Sequence, residues 1–136
     1  MYLLDTDILS ELRKPKSNSK VTSWIGRIRA RDLYVSVISL MEIERGIERQ
    51  RRMDPAFAVK LEVWLESTLI MFAENILPIS TAGSLLWGRL QTQLGRSDYD
   101  LAIAATALEH NLHVVTRNTK DYQGVGVAIL NPFEAR

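Results

Sequence analysis

Short apolar runs alternate with helix-spaced apolar positions along the whole chain. Five of these runs are short enough to be buried strands, and they cover Tyr2–Asp5, Leu33–Val37, Ile76–Ile79, Leu112–Thr116 and Val127–Leu130. Between them, apolar residues recur at the three- and four-residue spacing of amphipathic helices. This alternation predicts an α/β fold in which helices cover both faces of a central, mainly parallel sheet.

The helical segments differ in how much of their surface is apolar. Residues 101–108 are apolar nearly all round, which predicts a buried helix over 101–111. The segment from Pro55 to about Phe72 has apolar residues on more than one side, so we expect part of it to contact another chain. Ser39 is expected to begin the helix that follows the second strand. No repeat or linker separates the segments, so we predict a single domain over residues 1–136.

Composition excludes several classes of protein. The chain has 136 residues, of which 46% are hydrophobic, enough for a core without crosslinks. It contains no cysteine, which excludes disulfide frameworks, zinc–thiolate sites and thiol nucleophiles. No segment approaches the ~20 apolar residues of a membrane-spanning helix. Asp5 interrupts the only early apolar run, so no signal peptide is predicted. We therefore expect a cytoplasmic protein with no membrane partner.

The basic residues are unevenly distributed, although the formal net charge is only +1. Residues 1–31 contain seven Lys or Arg residues against three acidic ones. A second basic cluster consists of Arg45, Arg49, Arg51 and Arg52. Such clusters can bind the phosphates of a nucleic acid, but they can equally be solvated helix faces. The sequence leaves both interpretations open.

Four acidic residues lie where predicted strands end or predicted helices begin. Asp5 ends the first strand, Glu42 lies in the first turn of the helix after the second strand, Asp100 directly precedes the buried helix, and Asp121 follows the fourth strand. In a parallel sheet these positions share one edge, where ligands bind. Clustered carboxylates repel one another, and a hard cation such as Mg²⁺ or Mn²⁺ commonly relieves the repulsion. Such an ion can activate water and stabilise charge on a phosphate.

Each of these acids also has a purely structural interpretation. Asp5 and Asp121 could be turn residues. Residues 39–42, with serine first and glutamate last, fit a helix capping box. Asp100 could cap the helix over 101–111, a role for which Asp98 competes. Spacing alone does not choose between these interpretations and a shared site.

Five longer segments contain these acids and follow one another over nearly the whole chain. They are LLDTDILSEL at 3–12, VSVISLMEIERG at 35–46, DLAIAATA at 100–107, VTRNTKDY at 115–122 and NPF at 131–133. Together they resemble the motifs of PIN-domain proteins of the VapC/FitB class, the toxin halves of bacterial type II toxin–antitoxin pairs. No one segment would be specific, but the ordered set is.

The resemblance implies a three-layer α/β/α PIN-like fold and Mg²⁺- or Mn²⁺-dependent cleavage of RNA phosphodiester bonds. It also implies a homodimer and a cognate antitoxin, a small basic-tailed DNA-binding protein through which alone the toxin would contact DNA. The family's acidic site positions carry over to Asp5, Glu42 and Asp100, with Asp5 and Asp100 as the chief metal ligands.

At two further site positions this chain departs from the residues that are usual in the family. Many relatives have an acid where this chain has Asn118, so either Asp121 or Asn118 fills the fourth position. Asp7 stands where the family usually has asparagine, which adds one acid near the site. The same motifs offer Thr6 and Thr116 as auxiliary residues.

Two functions of different classes are compatible with these motifs. The first is a metal-dependent endoribonuclease toxin. The second is a PIN-like subunit that acts mainly within a DNA-bound toxin–antitoxin repressor and has little nuclease activity. A metal-dependent phosphatase or DNA nuclease built on the same acids is more remote. The acids that match the family's site favour the enzyme.

Overall fold

In a computed structural model that describes residues 1–134, five parallel strands form one sheet. Their order across the sheet is β3-β2-β1-β4-β5, and they span Tyr2–Leu4 (β1), Leu33–Ser36 (β2), Ile76–Leu77 (β3), His113–Val115 (β4) and Ile129–Leu130 (β5). All five predicted strands are confirmed, each shorter than the apolar run that predicted it. The prediction of a single domain includes two residues, 135 and 136, that lie outside the described residues.

Helices connect the strands and cover the sheet. They span Thr6–Arg13 (α1), Ser19–Arg27 (α2), Val37–Met53 (α3), Pro55–Met71 (α4), Thr81–Leu94 (α5) and Asp100–His110 (α6). Short 3-10 turns cover Ala30–Asp32, Thr119–Tyr122 and Pro132–Glu134. None of the helices within residues 1–134 is long and apolar enough to cross a membrane.

The central strand β1 shows why the fold has three layers. Leu3 and Leu4 are adjacent and both fully buried, and successive side chains of a strand point to opposite faces. Leu3 belongs to the apolar cluster that includes α6 and Leu90 of α5. Leu4 belongs to the cluster that includes α1, α2 and Ile47 of α3. A buried core on each face of the sheet confirms the predicted α/β/α architecture.

The helix α3 begins earlier than the sequence predicted. Its N-cap is Ser36, whose hydroxyl accepts a hydrogen bond from the Ile38 N–H at 3.0 Å. Ser39, the predicted first residue, instead lies inside the helix and is fully buried. The capping box over residues 39–42 is therefore wrong, and Glu42 lies in the second helical turn rather than the first.

The helix surfaces follow the predicted distribution of apolar residues, while the contact of the 55–72 segment with another chain stays a prediction. Residues 101–105 of α6 are at most 1% exposed, because α6 packs between the sheet and α5. Along α4, by contrast, Val59, Val63, Ile70 and Met71 are more than half exposed. The first turn of α4 is well formed, since Pro55 opens the helix and the Asp54 carboxylate accepts from the Phe57 N–H. The exposed apolar side chains therefore lie on a regular helix with a formed N-terminal cap.

Candidate metal and catalytic site

Asp5 lies at the carboxyl end of β1, where the sheet fixes its position. Its backbone N–H donates to the carbonyl of Val115 at 2.9 Å and so ties the end of β1 to β4. Its Oδ1 accepts from the Thr6 N–H at 2.8 Å, and its Oδ2 accepts from the Thr116 hydroxyl at 2.8 Å. Asp5 is thus the N-cap of α1, a structural role that the sequence analysis did not consider, and it also lies at the shared edge of the sheet.

The surroundings of Asp5 disfavour a negative charge. Burial, followed by the charge of Asp7, raises the pKa of Asp5 from 3.8 to about 6. The hydrogen bonds from Thr116 and Thr6 act in the opposite direction but do not cancel this effect. An ionised Asp5 is therefore a high-energy state of the protein unless a positive charge lies close to it.

Asp100 and Asp121 lie beside Asp5 at the same edge of the sheet. Asp100 is the first residue of α6 and Asp121 lies in the 3-10 turn after β4. Burial, followed by the charges of Asp5 and then Asp121, raises the pKa of Asp100 to about 7. The structure thus brings together three of the four predicted acids closely enough for their charges to interact.

The predicted helix caps before α6 are wrong. Tyr99 holds the N-cap position, and its side chain makes no capping hydrogen bond. The Asp98 carboxylate instead binds Arg96, which donates from Nε at 2.6 Å and from Nη2 at 2.9 Å. This hydrogen bond raises the pKa of Arg96, and the charges of Asp98, Asp100 and Asp121 raise it further. Arg96 is a rim residue of the site that the sequence analysis missed, although it lies in the loop just before Asp100.

Glu42 is linked to the Asp5 end of the site by a hydrogen bond from the Thr6 hydroxyl. The Thr6 hydroxyl donates to Glu42 Oε1 at 2.8 Å and forms a second hydrogen bond with the Ser39 hydroxyl at 2.9 Å. Arg45, one turn along α3, places its Nη2 3.9 Å from Glu42 Oε2. Thr6, a predicted auxiliary residue and the neighbour of Asp5 in sequence, therefore links Glu42 to the Asp5 end of the site.

Asp7, the departure from the family pattern, crosslinks α1 to the loop after β4. Its Oδ2 accepts from the Arg117 N–H at 2.9 Å and lies 3.4 Å from the Thr116 hydroxyl. Its Oδ1 is buried without a hydrogen-bond partner among residues 1–134. Burial raises the pKa of Asp7 above its usual value. Asparagine at this position would remove a negative charge that lies close to Asp5.

The structure distinguishes the two candidates for the fourth position. Asn118 is exposed, and its backbone N–H donates to the Thr116 hydroxyl at 3.0 Å. Asp121 is half-buried and close enough to Asp100 to raise its pKa. Asp121 is therefore better placed than Asn118 to act together with Asp100, and its functional role stays a prediction.

Tyr122 is the second residue at the site that the sequence analysis missed. Its side chain is only 1% exposed, and its hydroxyl lies near enough to the Asp5 carboxyl to lower the pKa of Asp5. That hydroxyl makes no hydrogen bond of standard geometry within the described part of the chain. Burial and then the charge of Asp5 raise the pKa of Tyr122, so it remains a neutral potential donor. The only sequence signal was its place directly after Asp121.

The carboxylates at this edge fit Mg²⁺ or Mn²⁺ as a pair of ligands that leaves other coordination positions to water and substrate, and not as a complete set of protein ligands. No group of three or more His, Cys, Asp or Glu side chains within residues 1–134 is arranged so that it could hold a metal ion. Mg²⁺, however, usually retains several waters and binds one or two carboxylates together with substrate phosphates. Asp5 and Asp100 supply two such carboxylates, and the charge of Asp5 raises the pKa of Asp100. A divalent cation between them would relieve that repulsion.

Comparison with known proteins gives a consistent result over almost the whole chain. A statistical description of the PIN domain family matches residues 2–125. The chain is 30% identical to Toxin FitB of Neisseria gonorrhoeae over 140 residues, which cover 98% of this chain and 99% of FitB. It is 32% identical to VapC ribonuclease Y4jK of Sinorhizobium fredii over 145 residues, which cover 98% of this chain and 99% of that protein.

Solved structures show the same similarity in three dimensions. The crystal structure of FitAcB from Neisseria gonorrhoeae superposes with a TM-score of 0.86 at 31% identity, covering 98% of this chain and 99% of that one. The structure of FitAB bound to an IR36 DNA fragment gives a TM-score of 0.82 at 28% identity, covering 100% of this chain and 98% of that one.

Proposed function

Because this chain belongs to the PIN domain family and groups with its FitB and VapC toxins, we propose that it is a toxin that cleaves RNA with a divalent metal ion. The observation that carries this proposal is the group of Asp5, Asp100 and Asp121 at the carboxyl edge of the sheet. Burial and then the charge of Asp7 raise the pKa of Asp5, and burial and then the charge of Asp5 raise the pKa of Asp100. Carboxylates that are costly to ionise in this way favour a nearby cation. Five relatives are named as ribonucleases of the VapC type, and two of them match over 98% and 51% of this chain.

Asp5 and Asp100 would hold Mg²⁺ or Mn²⁺, with Asp121 beside Asp100. When bound, the ion would supply Lewis-acid stabilisation of the phosphate and a water of lowered pKa. The protein's own part is to hold the carboxylates in place for the cation, whose charge would offset the cost of ionising them. Thr116 and the Thr6 N–H hold both oxygens of Asp5 by hydrogen bonds to its charged form.

Glu42 would accept a proton from the attacking water. Its Oε1 is held by the Thr6 hydroxyl, while Oε2 is engaged only by the longer contact to Arg45 at 3.9 Å. A carboxylate oriented by one oxygen can use the other as a general base. Arg96, held by two hydrogen bonds to Asp98, would add a positive charge at the rim of the site for a phosphate.

A cleavage assay tests this proposal. Asp100→Asn should lower the rate of RNA cleavage at least ~100-fold in Mn²⁺, because several kcal/mol of metal-derived stabilisation would be lost. Glu66→Gln, which removes an exposed carboxylate on α4, is the matched control and should cleave like the wild type. Full activity of Asp100→Asn, or of the wild type in EDTA, would contradict the mechanism. Cleavage of DNA at the same rate would instead support the broader nuclease interpretation.

We also propose a cognate antitoxin as partner, a small DNA-binding protein with a basic tail. The solved relatives include FitAcB and FitAB on DNA. In this chain a cleft of about 230 Å³ runs from Thr6 and Glu42 to the apolar side chains Phe57, Leu61 and Trp64. Such a cleft fits an amphipathic segment whose cationic end reaches the acids, and DNA would be contacted only through that partner. Binding of the antitoxin without any RNA cleavage would favour the repressor interpretation.

The exposed apolar side of α4 supports the proposed homodimer. Val59, Val63, Ile70 and Met71 leave more than half of their surface to solvent, and such patches commonly mark protein contacts. Light scattering at micromolar concentration measures the oligomeric state directly. A strict monomer would contradict the homodimer without bearing on the cleavage chemistry.

A further inference from the structure

An exposed aromatic ring and a row of arginines lie next to the acidic site and have no role in the chemistry above. The ring is Tyr99, which directly precedes Asp100 and is 42% exposed. The row consists of Arg45, Arg49 and Arg52 on α3, which line a cleft of about 300 Å³ together with Glu48. Both features begin at the site, since Arg45 lies 3.9 Å from Glu42.

The arginine row forms one continuous stripe along α3. Arg45, Arg49 and Arg52 are spaced by four and three residues, so they share one face of the helix. Arg49 and Arg52 form no ion pair with any carboxylate among residues 1–134, and both are exposed. Glu48 does not cancel the stripe, because Arg51 donates to it at 2.7 Å. The stripe therefore presents a net positive charge that leads away from the acids.

Tyr99 is held as a flat platform at the start of this stripe. The guanidinium carbon of Arg45 lies 5.7 Å from the centre of the Tyr99 ring, within the range of a cation–π contact. Trp87 supports the ring on α5, with ring centroids 6.3 Å apart. A rigid, partly exposed aromatic ring beside a cationic track is the combination that binds single-stranded nucleic acid, because each base can stack and each phosphate can pair.

We propose that Tyr99 and the stripe of Arg45, Arg49 and Arg52 bind single-stranded RNA, with one base stacked on Tyr99 and the adjoining phosphates along α3. This assignment rests on the proposed ribonuclease function and adds the residues that would hold the substrate. It places the stacked base one residue from Asp100 and the first cation one helical turn from Glu42. The chain would consequently prefer an unpaired segment of RNA, since a base within a duplex is already stacked.

Binding of a labelled, unstructured oligoribonucleotide, measured by fluorescence anisotropy in EDTA, tests the arginine stripe without cleavage. We expect Arg49→Ala/Arg52→Ala to weaken binding and to reduce the slope of log affinity against log salt by about 1.4, at roughly 0.7 for each phosphate contact. Lys60→Ala/Arg89→Ala removes two exposed positive charges from α4 and α5, outside both basic clusters, and is the matched control. An unchanged slope, an equal loss in this control, or no binding by the wild type at about 50 mM salt would overturn the assignment of the stripe as an RNA site.

Substitution of Tyr99 tests the platform separately. Tyr99→Leu keeps an apolar side chain but should weaken binding of the single strand about tenfold, whereas Tyr99→Phe keeps the ring and should retain the affinity. Neither change should alter binding of a duplex with the same sequence. Equal affinities of the leucine and phenylalanine variants, at unchanged melting temperature, would overturn stacking on Tyr99. Binding that follows these expectations while the wild type cleaves no RNA would refute the nuclease and leave the RNA site standing.

Discussion

Replacement of Asp5 by asparagine should stabilise the metal-free protein at neutral and alkaline pH. Asp5 has a pKa of about 6 in the folded state against 3.8 in the unfolded chain. The folded protein therefore binds more protons than the unfolded chain between these values, and its stability falls as the pH rises through that range. Above about pH 7 the full penalty is about 3 kcal/mol, since one pKa unit corresponds to about 1.36 kcal/mol.

The local hydrogen bonds reduce the expected gain. Asparagine offers one oxygen where the carboxylate uses two, for the Thr6 N–H and the Thr116 hydroxyl. The Thr116 hydroxyl can turn to accept from the new amide, at a cost of about 1 kcal/mol in lost hydrogen bonding. Asp5→Asn should consequently be more stable than the wild type by about 2 kcal/mol near pH 8, and equally stable near about pH 4.5.

Urea unfolding in EDTA at several pH values measures this difference directly. Glu66→Gln, at an exposed position, should show no such pH-dependent gain. Added Mn²⁺ should stabilise the wild type and leave Asp5→Asn nearly unchanged, because the ion would bind only the ionised pair. A variant that is less stable than the wild type at pH 8, or a difference that does not change with pH, would refute the reasoning from burial and charge.

Three further predictions concern single contacts. Asp121→Asn should reduce RNA cleavage more than Asp98→Asn in a rate assay, because Asp121 affects Asp100 more strongly than Asp98 does, and the Asp98 carboxylate is bound to Arg96; equal effects would leave a site of three acids. Thr6→Val, which is nearly isosteric, should lower kcat about tenfold with little change in Mn²⁺ affinity, since it releases Glu42 and leaves the Asp5 side-chain contacts in place. Val63→Asp should convert a dimer into a monomer in light scattering, because it places a charge on the exposed apolar side of α4.

The order of strands and helices could be predicted from sequence because their periodicities are local. Leu3 and Leu4 already indicated a strand buried on both faces, and the apolar residues of 101–108 indicated a buried helix. Asp5 could be placed at the edge of the sheet for the same reason, since the end of a parallel strand marks that edge wherever the strand lies. The ordered motifs indicated the family, which the comparisons confirm.

The contacts between these acids could not be predicted in the same way, because residues far apart in sequence make them. The hydrogen bond that orients Glu42 comes from Thr6, 36 positions away, and the one that holds Asp5 comes from Thr116, 111 positions away. Local spacing instead suggested a capping box for Glu42. The raised pKa values have the same origin, because burial and neighbouring charge exist only once the strands and helices have packed. Sequence by itself determined which residues stand at the sheet edge, and the tertiary structure decided which of them act on one another.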